Sequence, residues 1–79
     1  MIEADRVLAV DFKTNRIVPS TPEDTPEGLL RQMGAYAAAL AQIYPQHRID
    51  TAILWTQTAE LMILSPALVQ AALSRVPPP

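Results

Sequence analysis

Asp11 and Lys13 stand two residues apart at the end of an apolar run, Val7-Leu8-Ala9-Val10, and Lys13 is the chain's only lysine. In an extended strand, residues two apart project from the same face. A carboxylate and an ammonium held side by side suit metal-dependent phosphodiester hydrolysis. Asp11 would hold a hard divalent cation through oxygen. The cation would lower the pKa of a bound water and shield a phosphate. Lys13 would orient that water or stabilise charge on the phosphate. The plainer alternative is a solvated ion pair worth about 0–1 kcal/mol.

Gln32 and Tyr36 form a second pair. Four residues apart, they share one face of a helix. An amide and a phenol at the edge of an apolar stripe need hydrogen-bonding partners. Near the strand end, they would contact metal-bound water or a phosphate. Otherwise Tyr36 packs its ring and Gln32 lies at the helix border.

The elements that must position these residues follow from pattern. Residues 6–13 read as a strand, and the continuous apolar run predicts cover on both faces. Residues 14–25, with Pro19 and Pro22 among polar residues, read as a loop. Thr25-Pro26-Glu27 predicts a helix start with Thr25 as cap, and the helix runs to about Tyr44, before Pro45. Its stripe is Leu29, Leu30, Met33, Ala37, Leu40 and Ile43, with Gly34 marking a close helix–sheet approach. Residues 48–56 and 60–64 read as strands joined in a hairpin. Ser65 caps a short helix from Pro66 to about Arg75, and residues 76–79 read as a frayed C-terminus. The order is β-α-β-β-α, an α/β domain with a small mixed sheet.

Composition narrows the function classes. With 79 residues the chain is a single domain, and one this small is marginally stable. It has no cysteine, so disulfides and thiolate-bound metals are excluded. A net charge of −2 without a basic run gives no electrostatic footprint for nucleic acid. No apolar stretch approaches the roughly 20 residues of a membrane span. The acidic start, Met1-Ile2-Glu3-Ala4-Asp5, lacks a signal-peptide pattern. A soluble, cytoplasmic protein without membrane contact is expected.

The motifs "VDFKTNR" and "LRQMGAYAAAL", in that order across a proline-containing loop, resemble the C-terminal part of the RecB-family nuclease domain. The likeness is nearest to the AddA-type helicase–nuclease subunits of double-strand-break repair. "IYPQHRIDTAILWT" and "ELMILSPAL" resemble that family's next strand, hairpin and closing helix, so nearly the whole chain is covered. The resemblance implies a restriction-endonuclease-like fold and DNA as substrate. It implies that Asp11, joined by the Phe12 backbone carbonyl, ligates Mg2+. It implies a catalytic role for Lys13 and support of the site by Gln32 and Tyr36. Thr14, Asn15 and Arg16 match the AddA-like continuation, and Thr14 and Arg16 are candidate phosphate contacts. The implied partners are the rest of the helicase–nuclease and its partner subunit.

One departure qualifies these expectations. The family carries a further acidic ligand on the preceding strand, and counting back from Asp11 runs off the N-terminus. Glu3 and Asp5 lie too close and fit a turn into the strand. The expectation is therefore an incomplete nuclease-like domain spanning residues 1–79, inactive alone, with weak or absent Mg2+ binding. The alternative is a non-catalytic interaction or self-association module. His47 and Trp55 read as a surface residue and a core residue. The first strand's edge, together with an uncovered apolar face, predicts a homodimer.

Overall fold

A computed structural model describes residues 2–75. The order is β1 (Arg6–Lys13), α1 (Glu27–Ile43), β2 (Arg48–Trp55), β3 (Glu60–Leu64) and α2 (Pro66–Ser74). The strands form one mixed sheet in the order β1-β2-β3, with β1 parallel and β3 antiparallel to β2. The parallel pair needs a long connection, and α1 supplies it. The antiparallel pair closes through a tight turn in which Ala59 takes a left-handed φ of 58°. The expected frayed segment, 76–79, lies outside the described residues. No described helix is long and apolar enough to cross a membrane.

The register divides the side chains into two faces. Val7, Ala9, Asp11 and Lys13 lie beside Ile49, Thr51, Ile53 and Trp55. On this face Ile53, Trp55 and Leu64 pack with Leu30 and Met33 of α1 and Val69 and Ala72 of α2. Trp55 is fully buried in that core, as its sequence context predicts. The opposite face carries Val10, Phe12, Leu61 and Ile63, all exposed. The run in β1 is therefore covered on one face, not two. Both helices occupy the same layer, and the molecule measures only 16 Å along its thinnest axis.

Two local expectations change. Thr25 does not cap α1: Pro26 is the cap residue, and its carbonyl accepts from the N–H groups of Leu29 and Leu30 at 3.0 and 3.1 Å. Thr25 is instead buried, its hydroxyl 3.6 Å from the Met62 sulfur. Gly34 marks a helix–helix approach, since a Cβ there would collide with the Val69 carbonyl and lie 3.2 Å from Leu73 Cβ. Ser65 does cap α2, accepting from the Leu68 N–H at 3.2 Å. The loop 14–25 holds one short 3-10 turn, Pro22–Asp24.

Candidate functional site

β1 is an edge strand, and its ladder determines what that edge offers. The Asp5 carbonyl accepts from Arg48 N–H at 2.8 Å and the Lys13 carbonyl from Thr56 N–H at 2.9 Å. The odd-numbered residues thus turn their backbone groups toward β2, and the even-numbered ones turn theirs outward. Two bonds agree with this. The Arg6 carbonyl accepts from Glu3 N–H at 2.7 Å, and Phe12 N–H donates to Asp11 Oδ1 at 2.9 Å. The Phe12 carbonyl therefore faces the open edge, where among the described residues it has no partner.

Asp11 and Lys13 share the helix-covered face, since their register partners Ile53 and Trp55 belong to the core. Lys13 Nζ lies 3.1 Å from Asp11 Oδ2, with both side chains about a quarter exposed. The contact is an ion pair by distance but lacks hydrogen-bond geometry. Asp11 Oδ2 is sheltered from solvent and makes no hydrogen bond. Asp11 thus has one oxygen committed to its own strand and one with spare acceptor capacity.

Gln32 and Tyr36 are held to each other, the Gln32 amide nitrogen donating to the Tyr36 hydroxyl at 2.9 Å. Gln32 is half-buried, and Tyr36 is exposed. Helical spacing places them away from the flank of α1 that meets α2. That flank is marked by Gly34 against Val69 and by Glu27, whose carboxylate accepts from Arg75 at 2.8 and 2.9 Å. The seven expected residues thus form two local groups, Asp11-Phe12-Lys13 and Gln32-Tyr36, with Thr14 and Arg16 in the segment that follows β1. No hydrogen bond joins the groups among the described residues. Thr14 and Arg16 are exposed in the segment after β1.

The donors suit a hard divalent cation in kind, a carboxylate and a backbone carbonyl at one strand end. In number they fall short, and no group of three or more metal-binding side chains occurs among the described residues. A well-formed concavity lies elsewhere. It is a cavity of about 380 Å³ between α1 and α2, lined by Gly34, Ala37, Val69 and Leu73 among others and by none of the expected residues.

A second charged cluster is hardly legible in the sequence. Asp50, 2% exposed, accepts from Arg6 Nε at 2.7 Å through Oδ2 and from Arg48 Nε at 3.0 Å through Oδ1. Arg48 and Asp50, two apart on a strand, give a local signal, but the Arg6 contact spans 44 residues and exists only through the parallel register.

Comparison with family models, curated proteins and solved structures found no match to the chain.

Proposed function

We propose that this chain carries part of the centre of a metal-dependent DNA nuclease, built on a portion of a restriction-endonuclease-like fold. The observation that carries the reading is the Asp11–Lys13 pair, 3.1 Å apart at the end of an edge strand, with the Phe12 carbonyl open beside it. The resemblance of "VDFKTNR" and "LRQMGAYAAAL" to RecB-family nucleases supports it. A bound Mg2+ would supply an activated water and charge neutralisation at a phosphate. Asp11 holds the cation, with Phe12 as carbonyl donor. Lys13 carries a proton donor and a positive charge at the same spot. Gln32 and Tyr36 orient polar groups along the adjoining helix, and Thr14 and Arg16 contact the phosphate backbone. Cytoplasmic double-strand-break repair, with the rest of a helicase–nuclease and its partner subunit, is the setting this reading implies.

One carboxylate is a poor anchor for Mg2+, which gives up its waters reluctantly. The isolated chain therefore degrades linear DNA little or not at all. Titrating Mg2+ and Mn2+ against linear DNA tests this. Robust degradation abolished by Asp11→Ala would mean that the centre is complete. Degradation untouched by Asp11→Ala would remove the nuclease assignment. The single carboxylate also favours a second reading, a non-catalytic interaction module, because the open sheet face offers a docking surface without any chemistry.

A further inference from the structure

Half of the exposed large hydrophobic side chains among the described residues, Val10, Phe12, Leu61 and Ile63, lie on one face of the sheet. They fall in two cross-strand rows, Val10-Ala52-Ile63 and Phe12-Leu54-Leu61. Arg6 and Arg48 flank Asp50 at the other end of the same face. A sheet containing parallel strands is ordinarily covered on both sides. Here both helices cover one side.

We infer that a second copy of this chain covers the open face, the two sheets stacking with their strands antiparallel about a two-fold axis. The inference is independent of the nuclease reading. Edge pairing along β1 is hindered near both ends of the strand. Glu3 N–H already occupies the Arg6 carbonyl and Asp11 Oδ1 the Phe12 N–H. A charged side chain that takes up an edge donor hinders pairing at that point. The face offers the larger apolar surface.

Charge selects the orientation. Stacking with the strands in the same direction would set Arg48 on Arg48 of the second copy. The antiparallel arrangement places the Phe12 ring, 64% exposed, over the arginine end instead, where a guanidinium favours an aromatic face. Size sets the strength. Strands of 8, 8 and 5 residues cover about 330 Å² per copy and roughly 650 Å² for the pair. That is well below the roughly 1,200 Å² of a stable specific interface, so the dimer is weak and reversible, forming only at micromolar concentrations or above.

Sedimentation of the full chain between about 1 and 200 µM tests this range. The mean mass should rise from 8.7 kDa toward twice that value. The Leu61→Lys/Ile63→Lys variant, altered only at exposed positions, should stay monomeric and folded. Amide shifts of the wild-type chain on dilution give a reading that does not depend on the variant folding. They should move at Ala52, Leu54 and Ile63 and stay fixed at Ala38 and Ala39. A monomer throughout the range would overturn the inference. So would a dimer that survives the double lysine variant, dilution shifts confined to the helices, or protection of the Val10 amide without change on the face, which would indicate edge pairing.

Discussion

Asp50 and Asp11 sit on neighbouring strands of one sheet, each beside a cation, and their surroundings differ in every respect that matters. Asp50 is buried on the central strand, and each oxygen accepts from an arginine. Nothing is left for it to bind. Asp11 is part-exposed on the edge strand, with Oδ1 on its own backbone and Oδ2 beside Lys13 without a hydrogen bond. A saturated carboxylate holds a register. A carboxylate with acceptor capacity left over, at a strand end, is the one available for chemistry.

Removing each carboxylate tests that contrast. Asp50→Ala should cause the largest loss of stability, about 2–3 kcal/mol by denaturant unfolding. A fully buried pair would lose about 3–5 kcal/mol, but both arginines here reach solvent and can rehydrate. A loss below about 0.5 kcal/mol would mean the cluster does not hold β1 to β2. Asp11→Ala should change stability by no more than about 1 kcal/mol, as for a solvent-accessible pair. A loss as large as that of Asp50→Ala would make Asp11 structural and erase the distinction.

The Glu27–Arg75 pair, with both side chains about half exposed, sets the lower limit of the comparison. The hydrogen bonds from Arg75 hold the Glu27 carboxyl below its ordinary value of 4.5, and the same bonds raise the arginine. A carboxyl lowered on folding contributes stability that is present above the ordinary value and lost as pH falls through the folded one. Arg75→Ala should therefore lower the melting temperature slightly at pH 7, where that contribution is fully present. It should also slightly flatten the decline in stability below about pH 4.5. A steeper acid decline in the variant would contradict the assignment.

The elements were legible because their signals are local. Arg6–Lys13 and Glu60–Leu64 fall where alternation and apolar content place them, and Ser65 caps α2 as its position before Pro66 implies. Misread features depend on distant partners. Thr25 resembles a cap in sequence, but the fold buries it against Met62, 37 residues away. Gly34 resembles a sheet contact until α2 is seen to pass against it. The apolar run of β1 predicts two covered faces because periodicity reports hydrophobicity and not which layer is present. Within the site, the Asp11–Lys13 and Gln32–Tyr36 pairs follow from spacings of two and four. The outward turn of the Phe12 carbonyl needed the ladder with β2.

The most direct test of the Asp11 centre is paramagnetic broadening of backbone amide signals by Mn2+ added to the full chain, without DNA. Broadening should begin at Asp11, Phe12 and Lys13, at millimolar rather than micromolar metal, and disappear in Asp11→Ala. Broadening that instead begins at Glu23 and Asp24, or that survives the loss of Asp11, would contradict the Asp11 centre.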